Sequence, residues 1–416
     1  MNAPERDRHF ATHPQSSGGA MSRVEFIILT AAMMALTALS VDVMLPALPQ
    51  IGEALGLANA NDRQIIIVIY MVGFSLGQLV YGRLSDLYGR KPVLLAGMAI
   101  FIGGSLLATI ASSFTLMLLA RTVQGLGAAA PRVIAVALVR DRYVGREMAR
   151  VMSFVMAVFI ILPVLAPSIG LGLLQVGSWR LVFDFLLLAG IVLALWSGLR
   201  LPDTKSADAA PPLPLGEATR YVLQTRQTIG YGLASGLVFG SVLSYVSSAQ
   251  QVFVDVFRIG DLFPIAFGAT AIMIAAASIT NAMLVARFGM RLLSQAALVG
   301  FILVSALLVA AVLLDLVGLL LFIAMMMPLF FLFGLIAPNF NALAMEPQGD
   351  NAGMASSLVG FASTGVGALT GGLIGHMFDS TVLPLALGYL GLGISAFLVV
   401  VWVEGPRGLF CPGRQN

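Results

Sequence analysis

A few charged residues stand within or beside long apolar blocks, where a charge is costly unless it faces a partner or an aqueous cavity. Asp42, in Ser40-Val-Asp42-Val-Met-Leu45-Pro46-Ala-Leu-Pro49, is the carboxylate embedded deep in the first block. A carboxylate that can be neutral or charged is a natural proton carrier, and Pro46 and Pro49 could bend its helix and open it to water. A helix-end residue facing water is the plainer alternative. Arg121 and Arg132 lie eleven apart, which at about 100° per residue is three turns plus about 20°. Arg121, Gln124, Ala128 and Arg132 therefore share one stripe of a helix, able to face a cavity; the alternative is arginines snorkelling from the helix ends. Asp86 and Arg90, four apart in Gly77-Gln-Leu-Val-Tyr-Gly82-Arg-Leu-Ser-Asp86-Leu-Tyr-Gly89-Arg90-Lys91, can pair at a membrane edge, with Gly89 permitting a tight turn. A basic loop that only anchors topology is the bland reading of that string.

These residues need elements that hold them in hydrocarbon. Of 416 residues, 59% are hydrophobic and 10% carry Asp, Glu, Lys or Arg, too few charges to cover a water-soluble surface. The apolar residues fall in blocks of about 20, the length a bilayer core demands. The breaks between them predict twelve spans, near 24–48, 64–84, 92–112, 115–139, 149–173, 180–201, 229–252, 262–285, 292–314, 316–341, 353–376 and 383–403. Helices are the only sensible element, because lipid leaves no partner for unpaired backbone groups. The first run is too long for the core of a cleaved signal and is kept as a span.

Charge placement gives an expected orientation. With the N-terminus in the cytoplasm, 18 Lys/Arg fall on that side, only Arg63, Arg180 and Arg258 fall outside, and Arg121 and Arg132 lie within a span. The positive-inside rule then puts both termini in the cytoplasm. The net charge of +3 follows from those loops and does not indicate a nucleic-acid partner. One cysteine, Cys411, excludes a disulfide framework. No cofactor or metal is expected. The polar segment after the sixth span, with Pro211, Pro212 and Pro214, reads as a linker. The expected divisions are a tail at 1–23, a six-helix bundle at 24–201, a cytoplasmic linker at 202–228, a second bundle at 229–403 and a tail at 404–416.

The halves look duplicated. Tyr88-Gly89-Arg90-Lys91 recurs as Phe288-Gly289-Met290-Arg291, Pro131 as Pro338, Met148-Ala149 as Met354-Ala355, and Ile169-Gly170 as Ile374-Gly375, at offsets of 200, 207, 206 and 205. Duplication is how many secondary transporters are built.

The Gly77–Pro92 string closely resembles the signature loop of the major facilitator superfamily, with Leu87 where an Arg is usual. The resemblance implies that Asp86, Gly89, Arg90 and Asp141 form a cytoplasmic gate whose charges lock the outward-open state. Arg121-Thr-Val-Gln124-Gly125-Leu-Gly127 resembles the superfamily's fourth-helix motif, which implies a proton-coupling role for Arg121. Asp42 to Pro49 is similar to the bicyclomycin/chloramphenicol-resistance (Bcr/CflA) branch of drug:proton antiporters, with Met44 where Tyr is usual. Pro163-Val-Leu-Ala166-Pro167-Ser-Ile-Gly170 resembles a shortened fifth-helix antiporter motif, with Ala166 where Gly is usual.

The reading is an all-α membrane protein of twelve spans in two six-helix bundles. It is expected to export small amphipathic drugs or toxins across a bacterial inner membrane in exchange for protons, acting as a monomer. Asp42 and Arg121 would couple the proton, and Gln124, Arg132 and Asn339 would line the substrate cavity. The alternative is a carrier of one small polar metabolite on the same fold. That carrier should have more polar residues in its later spans than Asn281, Asn339, Asn341 and a few hydroxyls and glutamines. An enzyme is not expected. Gly73-Phe-Ser75-Leu-Gly77 fits a hydrolase elbow only on paper, since it lies mid-helix with His9, His13 and His376 as the sole histidines. Gly125-Leu-Gly127 follows no strand, and no phosphate loop for ATP occurs.

Overall fold

The computed structural model describes residues 21–143, 145–202, 215–349, 352–405 and 408–410. Fourteen α-helices run in the order α1 Arg23–Asp42, α2 Leu48–Ala54, α3 Ile65–Tyr88, α4 Arg90–Thr109, α5 Phe114–Arg142, α6 Gly145–Val176, α7 Arg180–Arg200, α8 Leu215–Gln224, α9 Arg226–Gln250, α10 Phe263–Phe288, α11 Met290–Leu313, α12 Leu319–Met345, α13 Ala352–His376 and α14 Leu383–Glu404. Among the described residues, eleven helical segments are long and apolar enough to cross a membrane. The fifth expected span is α6, whose described apolar stretch is Leu165–Val176. Large side chains such as Leu199 (81% exposed) and Leu320 (83%) point away from the bundle, which suits a chain whose solvent is lipid.

Two expected spans differ in detail. The first does not run as one helix to Leu48. It stops at Asp42 and resumes through a 3₁₀ turn, Leu45–Ala47, into α2. Pro46 has no N–H to donate to the Asp42 carbonyl and Pro49 none for that of Leu45, so the ladder fails there. The seventh continues past Gln250 as a π turn, Gln251–Val256, in which Phe257 N donates to Val252 O at 3.1 Å. The segment expected as a linker contains α8, which packs on α9 and α13; residues 203–214 lie outside the described residues.

Neighbour relations repeat between the halves. α5 lies against α1, α3 and α4, just as α12 lies against α9, α10 and α11; α4 packs on α7 as α11 does on α14; and α1 packs on α6 as α9 does on α13. The halves meet along two seams, α3 with α13 and α6 with α10, which exchange under the same twofold relation. The matched loops agree in conformation. Gly89 (φ 93°) and Gly289 (φ 76°) each make a one-residue break in the left-handed region that favours glycine.

Lipid gives no hydrophobic drive to helix association, so close contact depends on small residues. α13 shows this on two faces. Gly367 and Gly371 meet α9, Gly360, Gly365 and Gly372 meet α3 across the seam, and Gly375 meets both Ser247 of α9 and Gln64, just before α3. A Cβ at Gly371 would sit 2.6 Å from the Gly240 carbonyl oxygen and 2.8 Å from Leu243 Cβ, whereas one at Gly391 meets nothing within 4 Å. Gly371→Leu is expected to cost about 1–3 kcal/mol by overpacking. Thermal unfolding in detergent should show a clear fall for Gly371→Leu and none for Gly391→Leu; equal behaviour of the two contradicts this packing.

Candidate functional site

Asp42 is the last residue of α1, at the break in the first span, and is 5% exposed. Among the described residues it makes no hydrogen bond and no ion pair. Nearby polar groups are otherwise engaged: Ser40 Oγ donates to Leu36 O at 2.7 Å, and the Tyr70 hydroxyl donates to Thr37 O at 3.4 Å. From α6, Gly170 presses on this break. A Cβ at Gly170 would run into the Val43 carbonyl and approach Pro46 Cδ to 3.3 Å. The fifth-helix motif therefore packs on the helix that carries the acid. Pro167 is buried in the same helix, and Pro163 lies four residues before it in that helix.

Arg121 is completely buried in α5. Its guanidinium donates to Gln124 Oε1, and Nε donates to Ile66 O at 3.3 Å. Its carbon lies 4.2 Å from the Tyr70 ring centre and 5.9 Å from that of Phe183, so two aromatic faces replace part of its hydration. One guanidinium nitrogen has no hydrogen-bond partner. Gln124 is held from its other end, donating to Ser105 Oγ at 2.8 Å on α4. The glycines of the same motif explain how α5 is clamped there. Gly125 and Gly127 are two residues, about 200°, apart, and so face opposite neighbours. A Cβ at Gly125 would lie 3.0 Å from Phe74 N of α3, and one at Gly127 would lie 2.6 Å from Phe101 Cα of α4.

Asp42 and Arg121 form no ion pair among the described residues; Tyr70 faces the Arg121 guanidinium and its hydroxyl donates to Thr37 O, on the helix that ends at Asp42. Arg132 is half-buried further along α5. Asn339 is buried in the other half and spans α12 and α10, donating to Asn281 Oδ1 at 2.6 Å and to Leu335 O at 2.7 Å. The structure thus gathers Asp42, Tyr70, Arg121 and Gln124 in one region and leaves Asn339 as an interhelix tie.

The expected gate residues do meet. Arg90, 8% exposed at the start of α4, donates to Asp141 Oδ2 at 2.8 Å, to Ser85 Oγ at 2.7 Å and to Asp86 Oδ1. One guanidinium ties the ends of α3 and α5 to the start of α4, and all of these partners belong to the first half. Its counterpart was not singled out in the sequence. Arg291, at the start of α11, pairs with Glu346 at 2.9 Å and Glu404 at 3.2 Å. The signal for it lay in the Gly289 repeat, and in Glu346 following Asp141 by 205 residues. Sequence reading also passed over Tyr70 and Ser105, whose roles depend on contacts from other helices.

A family model described as the Major Facilitator Superfamily matches residues 30–372. The chain is 30% identical to the MFS-type transporter YdgK of Bacillus subtilis, over 87% of this chain and 91% of that protein. It is 29% identical to a bicyclomycin resistance protein homolog of Haemophilus influenzae, over 86% and 91% respectively. The multidrug resistance protein MdtL of Shigella flexneri is 35% identical over 46% of this chain and 48% of its own length. These relatives are consistent with the bicyclomycin/chloramphenicol-resistance branch.

A hydrogen bond to a buried charged group contributes about 1.5–3 kcal/mol. Gln124→Leu removes the Arg121 acceptor and the tie to Ser105, so unfolding in detergent should occur at a markedly lower temperature. Gln124→Glu, which keeps an acceptor for Arg121, should lose less. A Leu variant as stable as the parent would mean that Gln124 does not hold Arg121.

Proposed function

Because the chain belongs to the major facilitator superfamily, a family of transporters, we propose that it exports small amphipathic drugs or toxins by exchanging them for protons. The observation that carries this reading is Asp42, a carboxylate 5% exposed, with no hydrogen bond or ion pair among the described residues, at a proline-broken helix. The names of two relatives, a bicyclomycin resistance homolog and a multidrug resistance protein, support the drug class. So does the second half, where Tyr245 stacks on Phe267 at 5.5 Å and meets Phe330 edge-on at 4.9 Å. A dedicated carrier of a polar metabolite would be expected to concentrate polar groups there.

In this reading the two bundles, 24–201 and 229–403, rock about the substrate so that access alternates between the faces. Coupling requires only that protonation of Asp42 and binding of drug disfavour one another, so that each ligand biases a different state. Arg121, beside Tyr70, sets the local field that the acid and the substrate share. The Arg90 cluster braces the face that opens to the cytoplasm. The protein acts as a monomer in the bacterial inner membrane, and the Arg63 end faces outward.

Asp42→Asn is permanently neutral and should abolish efflux driven by a pH gradient while the protein still inserts. Drug-induced proton release from purified protein should vanish with it. An Asn variant that still concentrates drug against a gradient places the coupling elsewhere.

Orientation has its own test, resting on the placement of Lys and Arg. Ser206→Cys, in the segment between the bundles and outside the described residues, should be protected from an impermeant thiol reagent in intact cells and labelled in inverted vesicles. Labelling in intact cells reverses the topology.

A further inference from the structure

The α3–α13 seam is not uniform along its length. At the end marked by Arg63, polar side chains of the first half reach residues of the second. Arg63 Nη2 donates to Asp255 Oδ2 at 3.1 Å, Gln64 Nε2 donates to Gln251 Oε1, and Gln251 Nε2 donates to Asn61 Oδ1 at 2.8 Å. The Asn61 amide in turn donates to the carbonyls of His376 at 3.0 Å and Phe378 at 2.7 Å. Every one of these bonds crosses between the halves, so Asn61 and Gln64 join the end of α9 to the end of α13. Along the middle of the seam, Ser75 Oγ donates to Phe361 O at 3.1 Å and Gln78 Nε2 donates to Thr364 Oγ1 at 3.0 Å. Beyond Gln78 the seam closes on Gly82 against Ser357, and among the described residues the hydrogen bonds between halves stop there.

Two local features adapt the chain to this network. Gln251 and Asp255 both sit on the π turn that ends α9, a geometry found mostly as a local insertion at functional positions. Gly375 supplies the other. A Cβ there would strike Gln64 Oε1 and stand 2.7 Å from Ser247 Oγ, so only glycine leaves room for the Gln64 side chain to cross α13 and reach Gln251.

We propose that Asn61, Arg63 and Gln64, with Gln251 and Asp255, are the latch that holds this end of the transporter shut, and that each transport cycle must break it. Its chemistry suits a reversible contact. Gln64 and Gln251 are 1% and 2% exposed, so water does not compete with their bond while the end is closed. Once the end opens, water can satisfy every group in the set, which keeps the net cost of release small. An apolar plug of similar area would instead expose apolar surface at every cycle. The proposal goes beyond the drug:proton reading and stands whether or not Asp42 carries the proton.

Two cysteine pairs report the two ends of the seam separately. A Cβ at position 372 would lie 3.3 Å from Val68 Cβ, and one at position 82 would lie 3.9 Å from Ser357 Cβ, close to the separation that a disulfide bridges. The pairs Val68→Cys/Gly372→Cys and Gly82→Cys/Ser357→Cys are placed in the full chain, in membranes, with Cys411 replaced by serine. Their oxidation rates are then compared with and without Asp255→Asn or Gln251→Ala. The 68–372 pair should cross-link about tenfold more slowly in either variant, the scale of losing one charge-assisted hydrogen bond at Asp255 or two neutral ones at Gln251, and the 82–357 pair should not slow. Exchanging the charges, Arg63→Asp with Asp255→Arg, should restore the 68–372 rate. An unchanged 68–372 rate overturns the latch. Equal slowing at both ends also overturns it, since the network would then serve the fold as a whole.

Discussion

A guanidinium cannot sit alone in hydrocarbon, and the first half is arranged around that fact. Arg121 is fully buried, so its charge must be met by aromatic faces and by oxygens that are themselves fixed. Gln124 supplies one oxygen and is anchored by Ser105; the Ile66 carbonyl supplies another; Tyr70 and Phe183 supply the faces. These groups come from α3, α4, α5 and α7, and they converge only because Gly125 and Gly127 let α5 approach two neighbours at once. The motif is thus a packing device and an electrostatic device in the same seven residues.

The duplicated scaffold makes the asymmetry of the chemistry plain. Gly170 meets the Val43 carbonyl in the first half, and Gly375 meets Ser247 in the second, at related offsets. Offsets of 205 to 207 put Asp42 opposite Ser247 to Ala249, so the acid has no carboxylate counterpart. Arg121 falls opposite Met326 to Pro328, and Arg132 opposite Asn339, which ties α12 to α10. The braces, by contrast, are kept in both copies, Arg90 in one and Arg291 in the other. The first half carries charges inside its spans; the second repeats the architecture and fills the same places with uncharged groups.

Much of this could be read from the chain. All twelve spans were marked by apolar length alone, because the bilayer imposes a fixed thickness, and eleven of them meet that length among the described residues. The Asp86–Arg90 pair followed from helical spacing, and the Gly89 turn from its need for positive φ. What escaped were contacts that depend on how helices meet. Arg63 looked like one stray charge outside the membrane, and Gln250-Gln251 like two polar residues at a helix end, until α3 and α9 came together across the seam. The break at Asp42 was visible in Pro46 and Pro49, but the glycine that presses on it lies 128 positions on, in α6. Asn339 shows the converse. A polar residue in an apolar block reads as cavity lining, yet an interhelix hydrogen bond meets the same need with no ligand.

The distribution of strong contacts bears on how such a molecule can move. Arg90 fastens α3, α4 and α5 at one end of the first half, and Arg291 fastens α11, α12 and α14 in the second; neither reaches across. Within a half, the glycine contacts of α5 against α3 and α4, and of α13 against α9, are backbone to backbone and leave little slack. Between the halves, by contrast, the polar contacts among the described residues are side-chain amides, hydroxyls and the partly exposed pairs Arg63–Asp255 and His376–Asp62, beside a glycine face on α13. Deformation therefore concentrates where bonds are easily exchanged for water, and each half can turn as a unit. The rocking motion proposed above then needs no part beyond stiff halves joined by a seam whose side-chain bonds water can replace.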